Sequence, residues 1–172
     1  MIFGDVSFSR HITFSDPAYR GGKSVSLDAL GYGYDYANEA LLKKIKTLKA
    51  HRRKRAELIL ERINERFRKE GRGLFTESDL AAIEATVDGA FGRPHIANYM
   101  VGKGIVSSRQ EAFDRYLVEC DVPKLPLSLE EASALIKDAG GRLVLAHPND
   151  PNGTSLAALS ASLKDQHEVI KR

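Results

Sequence analysis

Three places in this 172-residue chain bring together side chains able to do chemistry. His147-Pro148 follows a short apolar run, Arg142–Ala146 (RLVLA), that reads as a buried parallel strand. The C-terminal end of such a strand is where α/β barrels and open sheets gather catalytic groups. A neutral imidazole there is a ligand for zinc, manganese or iron, or a ring simply bonded to loop backbone. The second place is Gly92-Arg93-Pro94-His95, where Pro94 suits the first turn of a helix. Free N–H groups and the helix dipole favour an anion at that end. Arg93 adds a bidentate fork for phosphate, and His95 can donate a proton or a hydrogen bond. The competing reading pairs Arg93 with a nearby carboxylate and packs His95. The third place is the stretch from Lys43 to Arg72, which holds half of the chain's 26 Lys and Arg residues. Such a stretch meets phosphate or another polyanion, or is a solvated helix face balanced by Glu57, Glu61, Glu65 and Glu70.

The elements that must position these residues follow from periodicity and caps. A strand is expected near Ser24–Leu30, ending in the Gly-Tyr-Gly-Tyr of residues 31–34, with the rest of the first forty residues irregular. Leu41, Ile45, Leu48, Ile59, Ile63 and Phe67 form one helical stripe between an Asn38 cap and a Gly71 stop; it fades across His51–Arg55, where a bend or exposure is expected. Shorter helices follow: one capped by Thr76 with Asp79, one over His95–Val101, and one capped by Ser107 or Ser108 that carries Ala112, Phe113, Tyr116 and Leu117. Val122–Leu127 holds two prolines and must be extended. Ser128 and Glu131 form a capping box for a helix ending at Gly140-Gly141, and a last helix is expected to start near Thr154 or Ser155. Helix, Gly-Gly turn, strand and helix make an α/β unit, whereas the middle of the chain reads as all-helical.

Composition excludes several classes. No apolar run reaches the roughly 20 residues that span a bilayer, and the N-terminus has no signal-peptide pattern. The single cysteine, Cys120, forms neither an internal disulfide nor a Cys-rich zinc site. A cytoplasmic protein is the expectation.

Five segments then occur in a telling order: Gly92–Ala97 (GRPHIA), Ser107–Leu117 (SSRQEAFDRYL), Cys120–Lys124 (CDVPK), Ser128–Ala132 (SLEEA) and Ala139–Pro148 (AGGRLVLAHP). Together they resemble the PHP family (polymerase and histidinol phosphatase domains) in its branch of metal-dependent phosphoesterases. The resemblance implies an α/β fold: a distorted β/α barrel with a helical insertion covering its mouth. Here residues 1–40 and 122–172 would be a partial barrel and 41–121 the insertion. It implies divalent ions (Mn, Zn, Fe or Mg) that activate water against phosphate esters of nucleotides, short oligonucleotides or RNA ends. It makes His147 a metal ligand, Arg93 and His95 pocket residues with His95 the catalytic one, and Arg52, Arg55 and Lys124 holders of the anionic substrate.

Departures from that pattern set further expectations. The family's opening His-x-His has no counterpart; the only histidine before residue 51 is His11. Thr13 aligns where the family places a Glu, and Asp28 stands where a histidine precedes Leu-Gly-Tyr, so Asp28 is either a substitute metal ligand or a lost one. The family's late Asp-x-His-type motif would lie beyond Arg172. Two or three strand candidates fall short of the seven or eight, roughly, of a closed barrel. The expectation is a partial barrel: a fragment, a truncated reading frame, or a piece that borrows strands from another copy. It would be weakly active or inactive alone and would self-associate through unpaired strand edges. The alternatives are a catalytically silent nucleic-acid-binding helical module and an inert structural fragment.

Overall fold

The structure, a computed structural model, describes residues 6–7, 12–87, 91–148 and 155–171. The chain divides into two compact units: Met1–Lys44 with Leu125–Arg172, and Ile45–Lys124. The sequence-based boundaries fall at 41 and 121.

The first unit is built on a mixed sheet of five strands: β1 (Val6–Ser7), β2 (Ile12–Phe14), β3 (Val25–Tyr32), β4 (Leu127–Ser128) and β5 (Arg142–Ala146). β3 is the spine. It pairs antiparallel with β1, β2 and β5, while β2 pairs parallel with β4. Along β3, Val25, Leu27, Ala29 and Gly31 are buried and Ser26, Asp28 and Leu30 half-buried, the period-two alternation of a strand with one covered face. Helix α5 (Leu129–Asp138) packs on this sheet through Ile136, and a Cβ on Gly31 would lie 2.6 Å from that side chain. Ser128 caps α5 by accepting from the Glu131 amide at 3.1 Å, but the Glu131 carboxylate turns to Lys44 at 2.5 Å, so only half of the expected box forms. After the turn, a Cβ on Gly141 would meet the Tyr32 carbonyl oxygen at 2.7 Å, so only glycine lets β5 start beside β3.

Three expectations for this unit are corrected. The described residues among the first forty hold three strands rather than one. β5 is neither parallel nor buried: its pairing with β3 is antiparallel, Arg142 and Val144 are exposed, and Leu143, Leu145 and Ala146 are half-buried. The last helix, α6 (Leu163–Lys171), starts eight or nine residues later than expected; a single tight turn at Leu156–Ala158 precedes it, with Leu156 and Leu159 buried. Thr154 and His11 lie outside the described residues. The described strands form an open sheet, not a closed barrel.

Helix α1 (Glu39–Glu70) begins in the first unit and runs unbroken for 32 residues, so the fading stripe marks no bend. The Asn38 side chain accepts from the Leu41 amide at 2.9 Å, and beyond Gly71 the Arg72 amide closes on the Phe67 carbonyl. From Ile45 onward α1 belongs to the helical unit with α2 (Glu77–Glu84), α3 (Arg93–Gly102) and α4 (Arg109–Ala112). Ile59, Ile63, Phe67, Ile83, Ile96, Met100, Tyr116 and Leu117 form its core, with Tyr116 edge-on to Phe67 at 5.3 Å. Thr76 and Asp79 make the expected reciprocal cap of α2. After α4 the chain departs from the expected α-helix: Phe113–Leu117 is a π turn. Such turns are rare and concentrate at functional sites.

Candidate functional site

The π turn explains what Arg93 does. Its guanidinium donates to the Leu117 carbonyl at 3.1 Å, lies over the Phe113 ring at 5.5 Å, and pairs with Asp121 Oδ2 at 2.9 Å. Asp121 also receives Arg55 on Oδ1, and Arg55 Nε donates to the Val122 carbonyl. Arg62 donates to the Asp121 carbonyl. Three arginines therefore converge on Asp121 and its backbone, joining α1, the start of α3 and the segment after the π turn. Arg55 is buried, at 6% exposure, and spent on this junction; the expectation that it faces substrate is corrected, because a buried guanidinium holding a carboxylate is not open to a phosphate. Arg93 is half-buried and engaged in the way its competing reading described. Lys124 closes the same segment, also half-buried.

His95 occupies the third position of α3, and its Nδ1 lies 3.2 Å from the Gly92 amide. Nδ1 also lies 3.2 Å from the Gly92 carbonyl oxygen, so it finds a partner on Gly92 in either tautomer. The ring stacks on Phe91, with centroids 6.0 Å apart and planes 23° from parallel. His95 therefore caps its own helix, with Nε2 the nitrogen left for a ligand. Phe91 also lines a cleft of about 320 Å³ together with Lys49, Arg52, Arg53, Glu84 and Val87. Burial lowers the pKa of the Arg52 guanidinium.

The two expected metal ligands lie on paired stretches of the sheet unit. Asp28 on β3 faces Ala146 on β5, and His147 follows Ala146 directly. His147 is exposed and takes a left-handed backbone (φ 52°), a conformation that non-glycine residues hold at a cost of about 1–3 kcal/mol and that concentrates at functional sites. Two donors do not make a site for a catalytic divalent ion, and among the described residues no three His, Cys, Asp or Glu side chains converge as ligands. The described residues alone therefore do not complete a site for the ions that the resemblance implies.

Other reactive groups are committed elsewhere. Cys120 is buried in the helical core, which pushes its thiol pKa up and makes it a poor nucleophile. Asp79 is held well below the usual carboxylate range by the Tyr99 hydroxyl at 2.6 Å and by its cap bonds to Thr76, with Lys103 beside it. No described helix is long and apolar enough to cross a membrane. Sequence reasoning quoted Cys120–Lys124 as a motif but missed Asp121 as its centre, and it missed Phe91. Asp121 carried no local signal, because its arginine partners come from 28 and 66 residues earlier.

Comparison with known proteins places this geometry. A crystal structure from Bifidobacterium adolescentis, of a protein assigned as a metal-dependent phosphoesterase, superposes with a TM-score of 0.66 at 28% identity, covering 93% of this chain and 52% of that one. The chain has the fold of about half of that phosphoesterase. An amidohydrolase from Chromobacterium violaceum, with bound sulfate and no metal, matches with a TM-score of 0.59 at 24% identity over 86% of this chain and 48% of that one, which speaks for the fold alone. By sequence, the 5′-3′ exoribonuclease of Haemophilus influenzae is 31% identical over 126 residues, 69% of this chain and 42% of that protein. The 5′-3′ exoribonuclease Rnm of Salmonella typhimurium is 28% identical over 143 residues, 80% and 46% respectively. The chain thus spans about half the length of the curated relatives it matches. No family model matches it. These likenesses support a phosphoesterase or nuclease type of function in general.

Proposed function

We propose that this chain works in metal-dependent hydrolysis of phosphate esters at the ends of RNA or short oligonucleotides. The observation that carries the reading is the superposition over 93% of the chain on a protein assigned as a metal-dependent phosphoesterase; the exoribonuclease relatives supply the substrate class. In this reading Asp28 and His147 contribute to the metal site, and the other ligands come from outside the described residues. A bound divalent ion would supply charge neutralisation and an activated water. Arg93, fixed by Asp121 and Phe113, shapes the end of α3, and His95 presents Nε2 to a phosphate oxygen. Lys124 and Arg52 add positive charge. With two described ligands the expected turnover is slow.

A second reading, a catalytically silent nucleic-acid-binding module, is favoured by one observation: no ligand triad is present among the described residues. Incubating the chain with a 5′-phosphorylated RNA oligonucleotide and manganese separates the two. The proposal expects slow, manganese-dependent product formation that His147→Ala abolishes. RNA binding with product at the metal-free background, in both proteins, would leave the second reading standing.

A further inference from the structure

The guanidinium of Arg93 is held by one arm only. Its Nη1 both donates to the Leu117 carbonyl at 3.1 Å and pairs with Asp121 Oδ2 at 2.9 Å, while the Phe113 ring lies against its flat face. Nη2 and Nε have no partner among the described residues, and the side chain stays 26% exposed. The Nε–Nη2 edge is therefore left over, and it is an edge on which a guanidinium takes phosphate through two parallel hydrogen bonds. The anchor is itself oriented. Asp121 Oδ1 accepts from the Val122 amide at 2.8 Å and from the buried Arg55, which leaves the carboxylate little freedom to turn and keeps Oδ2 on Arg93. Arg62 reaches the Asp121 carbonyl, and no carboxylate other than Asp121 pairs with Arg55, Arg62 or Arg93 among the described residues.

We infer that Asp121 is a positioning residue: it fixes Arg93 by Nη1 so that the Nε–Nη2 edge takes the terminal phosphate of an RNA strand as a bidentate pair. Arg55 orients Asp121 from the core, and the π turn brings the Phe113 ring and the Leu117 carbonyl to the same guanidinium. A mobile arginine gives up rotamer freedom when it binds an anion, whereas one already anchored gives up little, so the anchoring appears as affinity for phosphate. Asp121 and the phosphate use different nitrogens and do not compete. The inference deepens the RNA reading above and rests on it for the ligand class, but it needs no metal and no turnover.

The test is fluorescence anisotropy with two labelled RNA decamers of one sequence, bearing a 5′-phosphate or a 5′-hydroxyl, at fixed salt and with a chelator present. The readout is the ratio of the two affinities, which a merely structural loss does not move. The wild-type chain is expected to prefer the phosphorylated strand about tenfold. Arg93→Lys keeps the charge without the fork, and Asp121→Asn loses an acceptor for Nη1; each is expected to bring the ratio to about twofold or below. The double variant is expected to match the single ones, because both act on one contact. Circular dichroism checks folding, and if Asp121→Asn is not folded, Phe113→Leu takes its place, with the ratio expected to fall to about fivefold as the guanidinium loses its aromatic face. A ratio unchanged in the folded variant, with both strands bound more weakly, overturns the positioning role, as does a ratio that Arg93→Lys leaves intact. A wild-type chain with no preference for phosphate overturns it too; if manganese-dependent hydrolysis persists there, the enzyme reading survives. A ratio that falls in both variants without any hydrolysis supports the positioning role and sinks only the enzyme.

Discussion

The helical unit and the sheet unit use similar apolar sequence to different effect. In the helical unit Ile63, Phe67, Ile96 and Tyr116 are fully buried, and the charged residues of its motifs are tied into the Asp121 junction. In the sheet unit, Arg142–Ala146 is as apolar as any core strand, yet Val144 is 46% exposed and the strand lies at an edge. The difference shows that helices supply their backbone partners internally and need only side-chain packing, whereas a strand's side chains are buried only where another layer covers their face of the sheet.

The largest expected effect breaks the junction that makes the helical unit self-contained. Asp121→Ala leaves the buried Arg55 guanidinium without its carboxylate and should destabilise the chain by about 3–5 kcal/mol in urea denaturation. A loss below about 1 kcal/mol would mean that water or another acceptor replaces Asp121. Next comes a matched pair of truncations. Ile63→Ala should cost about 2–5 kcal/mol, and Val144→Ala on β5 less than 1 kcal/mol or so, because little of Val144 leaves water on folding. Similar costs would show that β5 is covered.

This contrast also explains what the sequence disclosed. Periodicity located α1 through its Leu and Ile stripe, and the caps at Asn38, Thr76 and Ser128 are local chemistry that needs no tertiary context. The direction of β5 was not legible, since parallel and antiparallel strands share the same apolar pattern and only the pairing with β3 decides between them. The short strands β1 and β2 gave no periodic signal over two and three residues. Within the candidate site, Arg93 and His95 were legible as a pair at a helix start. Their engagement by Asp121 and Phe91 was not, because those partners come from 28 and 4 residues away, respectively. Arg55 looked like its neighbours in a run of basic residues, and only its position on the buried side of α1 separates it from Arg52 and Arg53.

Acid should affect the helical unit through its caps. The Ser107 hydroxyl and amide, with Arg115, hold Glu111 down to a pKa of about 2, and Asp79 is depressed by Tyr99 and Thr76. For a depressed carboxyl the stabilisation is complete above its unfolded pKa and is lost as pH falls through the folded one. Stability should therefore hold above the ordinary glutamate value of 4.5 and decline below it toward about 2. Glu111→Gln with Asp79→Asn should flatten that acid limb; an unchanged limb would place the titrating groups elsewhere. A smaller effect on stability is expected from Val144→Lys, which places a charge on the exposed edge strand. We expect it to leave the melting temperature nearly unchanged and to convert self-associated species to monomer in sedimentation velocity. A wild-type protein that already sediments as a clean monomer at micromolar concentration would rule out association through this edge.

The proposed role of Asp28 and His147 as ligands of a divalent ion is open to one direct measurement. Manganese binding by the 172-residue chain, followed by calorimetric titration against His147→Ala, tests it most directly. The account predicts weak binding, saturating only at millimolar manganese, that the substitution removes, matched by slow hydrolysis over the same metal range. Saturation at micromolar manganese would contradict an incomplete ligand set, and binding unchanged by His147→Ala would contradict the site itself.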